Sequence, residues 1–215
     1  MYVSAEQVES KLSPLDKLLA QTVASLIRTK LGEKTFSSLE NRLTERYNLD
    51  VVDAIQDFTK FDATLREFFG AGADAIESDI LHEVVSLESS KKGTSLLTIE
   101  NKELAHSVLE TYGNSEKRTI LNEAFKNPSP TLDILERCNI PKSTGYRIMN
   151  ELIKDGFLTE SGFSTTSDGK KVTNYTALFS QIKIDIELEE VIVQVLLKDE
   201  VVEGSSLVKI LQGRF

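Results

Sequence analysis

Along the first part of the chain, apolar residues return every three to four positions. Leu15, Leu19, Val23, Leu26 and Ile27 share one face of a helix, the rhythm of a segment that buries one stripe. Ser13-Pro14-Leu15-Asp16 opens it: Ser13 offers a capping hydroxyl, proline suits the first helical position, and Asp16 can reach back to the cap. Gly32 ends it. Phe36, Leu39, Leu43 and Tyr47 predict a second helix, and Asp50 caps a short third that carries Val51, Ile55 and Phe58. A fourth brings Leu65, Phe68 and Phe69 to the core. The fifth covers residues 74–87, with Ile76, Ile80, Leu81, Val84 and Val85 inward. Residues 1–88 therefore read as a helical bundle.

The rhythm then changes. Ser89-Ser90-Lys91-Lys92-Gly93 has nothing to bury and reads as a linker. Residues 95–99 are apolar and strand-like, and a connecting helix covers 102–112, so 89–113 form a joining region. Residues 114–179 carry a different pattern, centred on TLDILERCNIPKSTGYRIMNELIKDGFL. A short helix over 132–137, a tight turn at Asn139 to Pro141 and a second helix over 142–155 make a helix-turn-helix. Residues 157–165 and 171–179 can pair around a turn marked by Asp168-Gly169, where glycine takes positive φ at little cost. Beyond it Ile182, Ile184, Ile186 and Leu188 alternate with polar residues, as do Val191, Val193 and Val195, a period of two on either side of Glu189-Glu190. Residues 180–215 thus read as a second hairpin followed by a short amphipathic tail with Leu207, Ile210 and Leu211. Such a hairpin does not stand alone, and it is expected to pack on the helix-turn-helix unit or on a partner subunit. The fold class expected is mainly α with small β-hairpins (α+β).

The candidate chemistry sits on the helix over 142–155. Gly145, Ile148, Met149 and Leu152 make its buried stripe, and Gly145 lets the preceding helix approach closely. Ser143, Tyr146, Arg147, Asn150 and Lys154 occupy the opposite face. Those are the side chains that a major-groove helix uses: Arg binds guanine bidentately, Asn reads adenine, and Ser, Tyr and Lys hold phosphates. Lys170 and Lys171 lie at the hairpin tip, where a wing meets the backbone.

Composition sharpens this in one respect and complicates it in another. The chain of 215 residues suits two modest domains, and 40% hydrophobic content suffices for ordinary cores. With no run of eighteen apolar residues and no N-terminal apolar region, the expectation is a soluble, cytoplasmic protein without membrane contact. The formal charge of −9 opposes long-range attraction to DNA. It is uneven: residues 1–113 hold 12 Lys+Arg against 19 Asp+Glu, and 114–180 hold 9 against 8, so the acidic excess lies outside the helix-turn-helix unit.

The single cysteine, Cys138, excludes an internal disulfide and is expected to pack as a small hydrophobe. His82 and His106 stand apart, and no carboxylate pair has catalytic spacing. No metal, cofactor or enzyme activity is therefore expected. The glycine pattern at Gly70-Ala71-Gly72-Ala73-Asp74-Ala75 follows an aromatic helical segment without a βαβ unit, and reads as a turn between helices.

GEKTFSSLENRLTERYNLDVVDAIQDF and LREFFGAGADAIESDIL resemble the small helical output domain of the Nitrososphaera output-domain family. GNSEKRTILNEAF, IPKSTGYRIMNELIKDGFL and TTSDGKKVTNYTALF resemble archaeal winged helix-turn-helix regulators of the ArsR-like type. Together these cover most of the chain. The resemblance implies a transcription regulator contacting DNA through Ser143, Thr144, Tyr146, Arg147 and Asn150, with Lys142 beside them and wing contacts near Lys170 and Lys171. The Cys pairs and His sets of metal-sensing members are absent. A homodimer on double-stranded DNA is the expected form. The alternative is an adaptor that docks on a protein of the transcription machinery, and either could carry a small-molecule site in the N-terminal bundle.

Overall fold

The computed structural model describes residues 13–89, 94–186, 188 and 191–213. The predicted linker residues Ser90, Lys91, Lys92 and Gly93, and the predicted turn at Glu189-Glu190, lie outside them. The N-terminal helices are α1 (Pro14–Tyr47), α2 (Val51–Gln56), α3 (Phe58–Phe69) and α4 (Ala73–Val84). Gly32, at φ 78° and ψ 157°, divides α1 into two helical arms, a conformation open to a residue without Cβ. Asp50 caps α2 as its position predicts, accepting from Asp53 N–H at 2.8 Å. The glycines at 70 and 72 form a 3-10 turn between α3 and α4. Leu15, Leu19, Ile27, Leu39, Leu43, Ile55, Phe61 and Leu65 are closed from solvent in the shared core.

Three local expectations are corrected here. Ser13 makes no side-chain cap, and its hydroxyl is buried without a partner. Asp16 does not reach back. It points to the far end of the chain, accepting from the Ser205 hydroxyl, from Ser206 N–H at 2.8 Å and from Leu207 N–H at 3.4 Å. Phe68 is 40% exposed and Ile76 only half-buried, while Glu77 is buried.

Strands β1 (Val85–Ser89) and β2 (Thr94–Ile99) follow, then α5 (Lys102–Gly113), α6 (Ser115–Lys126), α7 (Thr131–Cys138) and α8 (Lys142–Lys154). The chain continues through β3 (Leu158–Thr165), β4 (Lys171–Ala177), β5 (Gln181–Ile186), β6 (Val191–Lys198), α9 (Asp199–Gly204) and α10 (Ser206–Leu211). The fifth helix of the bundle thus stops at Val84, short of residue 87, because residues 85–89 pair with β2 from Val85↔Ile99 to Ser89↔Ser95. Pairing gives alternate residues of β1 both their backbone hydrogen bonds and seats β-branched Val85 on a pleated surface, which outweighs its modest helix preference.

The four strands β1-β2-β6-β5 form one antiparallel sheet. Its central pairing is long-range: Leu97 lies opposite Val195 and Ile99 opposite Val193. The C-terminal hairpin therefore packs with the N-terminal unit, and neither the helix-turn-helix unit nor a second subunit is needed to seat it. α9 and α10 follow it there, α9 against α1 and β2 and α10 against α4 and β1. The gain is apolar burial: Leu97, Val193, Val195, Leu197, Leu207 and Val208 are all inaccessible, each contributing about 1.5–3 kcal/mol relative to exposure.

Candidate nucleic-acid interface

Within residues 114–179, α6, α7 and α8 pack together beside the β3–β4 hairpin, which is the wing of the expected winged helix-turn-helix, and a bridge from Ser129 to Tyr175 ties the α6–α7 connection to β4. Asn114 caps α6 through Lys117 N–H at 3.0 Å. Asn139 ends α7 in the left-handed region at φ 53°, a conformation its short polar side chain tolerates. Gly145 sits where a Cβ would come within 2.6 Å and 2.8 Å of the Leu135 δ-carbons, so its lack of a side chain sets the distance between α7 and α8. With Gly145, Ile148, Met149 and Leu152 buried, the orientation of α8 is fixed.

That orientation turns Ser143, Tyr146, Arg147 and Asn150 outward, with Tyr146 at 43% exposure. Lys142 is exposed beside them, whereas Thr144 is half-buried at the edge of the face. Lys154 shares the face but lies twelve residues along, roughly 18 Å from Lys142. There it lines a cleft of about 870 Å³ with Lys17, Asp50 and Asp53 of the bundle. The nine sequence-derived residues therefore divide: six on α8 ahead of Lys154, five of them exposed and Thr144 half-buried, two at the hairpin tip, and Lys154 at the joint with the bundle.

Charges within the surface are partly self-satisfied. Arg147 lies 3.5 Å from Glu151, which also receives Lys117; Lys142 lies 3.7 Å from Glu136; Lys170 lies 2.9 Å from Asp168. The Thr166 hydroxyl, with help from Lys170, holds the Asp168 carboxyl below its ordinary range. Exposed pairs of this kind stabilise by at most about 1 kcal/mol, so exchanging a carboxylate for a phosphate costs little.

On the wing, Gly169 takes φ 81° and the turn closes through Thr166 N–H to Lys170 O at 2.9 Å. Lys171 Nζ rests 3.9 Å from the centroid of the Phe163 ring, which is 57% exposed. Phe163 was not among the sequence-derived residues. A break in the β3–β4 register between Glu160 and Phe163, at Gly162 with φ 118°, shifts the alternation that would have assigned its face.

The unit meets the rest of the chain at Gly156 and around Tyr112. A Cβ on Gly156 would meet the Leu18 backbone nitrogen at 2.9 Å, so the chain leaving α8 touches α1 directly. Tyr112 of α5 packs with Phe157 and Phe179, whose rings meet edge to face at 6.1 Å. Burial pushes the Tyr112 phenol up. The half-buried Cys138 thiol points to Thr119 O at 3.7 Å and is likewise pushed up by burial.

Elsewhere, the apolar interior between Phe61, Leu65, Glu77 and Ile80 contains a void of only about 10 Å³, room for no more than about one water. The cleft of about 870 Å³ lies instead between α1, α2, α5 and the end of α8. Asp62, Asp74 and Glu77 bring carboxylate oxygens within 4.8 Å of one another, but Arg66 already binds Asp62 at 2.8 Å and Asp74 as well. Burial and the neighbouring Asp62 push the Glu77 carboxyl up to about 8. No helix among the described residues is long and apolar enough to cross a membrane. No family model matches the chain, and neither a curated protein nor a solved structure matches it.

Proposed function

We propose that this protein regulates transcription by binding duplex DNA as a homodimer, with α8 in the major groove and the β3–β4 wing on the phosphate backbone. The observation that carries the reading is the outward face of α8: Ser143, Tyr146, Arg147 and Asn150 are exposed together on a helix whose other face is locked into a winged scaffold. An exposed Arg and Asn one turn apart, on a helix held rigidly at its back, are suited to reading base edges. Selection from random duplexes, followed by titration of enriched and scrambled sequences at two salt concentrations, tests it. An enriched two-fold site is expected. Arg147→Ala should then cost about 1–3 kcal/mol on that site and relax choice at one base pair, whereas Lys171→Ala should weaken all sequences alike and lower the salt slope by about one.

A second reading, docking on a protein of the transcription machinery, is favoured by the acid beside each of Lys142, Arg147 and Lys170 and by the exposed rings of Tyr146 and Phe163. Aromatic groups are enriched at protein interfaces. No enrichment at any salt, with Arg147 and Asn150 substitutions abolishing a protein contact, would select this reading over the first.

A further inference from the structure

β5 is an outer strand: in the order β1-β2-β6-β5 it pairs, among the described residues, with β6 alone. Its other edge presents backbone N–H and C=O groups able to template a further strand. The register Ile182↔Val195, Ile184↔Val193 and Ile186↔Val191 puts three isoleucines on the face that β6 buries. Val193 and Val195 are closed from solvent, yet Ile184, Ile186 and Val191 are 46%, 73% and 44% exposed. The apolar face of the sheet thus extends beyond what the described residues cover. On the other face of β5, Lys183 and Asp185 are exposed, with no ion pair among the described residues.

The order Ile182-Lys183-Ile184-Asp185-Ile186 is symmetric in a specific sense. Turned about a two-fold axis through Ile184, two antiparallel copies place each Lys183 opposite the other copy's Asp185, Ile182 opposite Ile186, and Ile184 opposite Ile184. Residues directly opposite share a face, so the isoleucines of both copies form one apolar strip and the charges form two neutral pairs. A slip of two residues sets Lys183 against Lys183 or Asp185 against Asp185. A slip of one sets isoleucines against polar side chains. One register alone satisfies both faces, and a charged edge that would repel indiscriminate pairing accepts its own copy in it.

We propose that two copies of this chain pair edge to edge through β5, antiparallel and centred on Ile184, to make a continuous eight-stranded sheet. This rests on the homodimer part of the proposed function and names its surface. An isologous two-fold contact of this kind closes on itself without propagating. Six residues per copy fall short of the ~800 Å² per partner of a standard interface, so association in the micromolar range is expected.

Sedimentation equilibrium of the full chain, with Lys183→Asp, Asp185→Lys and the double exchange, tests the pairing. Wild type should sediment as a dimer. Each single substitution places like charges opposite at two symmetric positions and should weaken association about 10-fold or more, and the double exchange should return it to within about 3-fold of wild type. Both side chains are exposed, so far-ultraviolet circular dichroism should be unchanged in all four proteins. A monomer at about 100 µM, a dimer indifferent to the single substitutions, or failure of the double exchange to restore it would each overturn the proposal. DNA titrations on the same proteins separate the two ideas. Charge-exchange rescue without sequence selectivity removes the DNA reading and leaves the pairing; selective binding by a dimer that ignores the exchange does the reverse.

Discussion

Asp16 shows how one side chain can be assigned the right chemistry and the wrong partner. It begins α1 and is an acceptor, as its position predicts, but the donors lie at Ser205, Ser206 and Leu207, at the start of α10. At 1% exposure it loses most of its hydration, and burial raises its pKa from an ordinary 3.8 to about 6, while Ser205 and the two backbone N–H groups pull the other way. A carboxyl raised in the folded state binds its proton more tightly there than in the unfolded chain. Its contribution to stability is therefore complete below pH 3.8 and is lost as pH rises through about 6. The span of roughly two pH units corresponds to on the order of 3 kcal/mol. Asp16→Asn does not titrate, so the stability gap between wild type and variant should shrink by about that amount from pH 4 to pH 7 in urea unfolding. Glu77, also raised by burial, titrates in both proteins and cancels. A gap that widens with pH would show that the α10 N–H groups outweigh desolvation and hold Asp16 below its ordinary range.

At the level of elements, two glycines make the joints of α8, and the chain distinguishes them by what a Cβ would strike. At Gly145 the obstacle is the side chain of Leu135, and alanine also brings about 1 kcal/mol of helix propensity. Gly145→Ala should therefore destabilise by only about 1 kcal/mol after overpacking of about 1–3 kcal/mol is offset. At Gly156 the obstacle is the Leu18 backbone, which cannot rotate away, and φ is +80°. Gly156→Ala should cost about 3 kcal/mol, from left-handed strain and the backbone clash together. Equal losses in urea unfolding would show that the chain leaving α8 does not bear on α1. The same contrast marks what was legible in the sequence. α7, α8, the Asn139 turn and the Asp168-Gly169 tip are specified by neighbours a few residues apart, and the face bearing Ser143, Arg147 and Asn150 follows from spacing alone. The strand at residues 85–89 was not legible, because Val84, Val85 and Leu87 continue a helical pattern until β2 offers a partner. Phe163 was hidden by the register break at Gly162, and the place of Lys154 at the joint by a cleft whose other walls come from α1, α2 and α5.

Across the whole molecule, the two ends of the chain build one unit. Residues 85–89 and 94–99 share a sheet with 181–186 and 191–198, α10 meets α1 through Asp16, and residues 114–179 meet the rest of the chain where Gly156 touches Leu18 and where the Tyr112, Phe157 and Phe179 rings pack. Consecutive sequence segments suggested a bundle, a reader and a hairpin packed on the reader or on a partner subunit, whereas the packing ties the last residues to the bundle. Val193, Val195, Leu197, Val202, Leu207 and Val208 are buried contributions from that tail. At about 1.5–3 kcal/mol each, they amount to on the order of 9–18 kcal/mol, as large as the whole net stability of ordinary domains, about 5–15 kcal/mol. Their loss would also expose Leu97 and leave Asp16 buried without donors or newly hydrated. A chain ending at Ser180 should therefore lose the cooperative unfolding of the N-terminal helices, with a melting temperature at least about 10 °C below that of the full chain or no transition at all. Calorimetry decides it. A truncated chain that melts within about 2 °C of the full one would mean that the bundle folds on its own and that the C-terminal strands only decorate it, in which case β5 would be free to serve pairing without carrying stability.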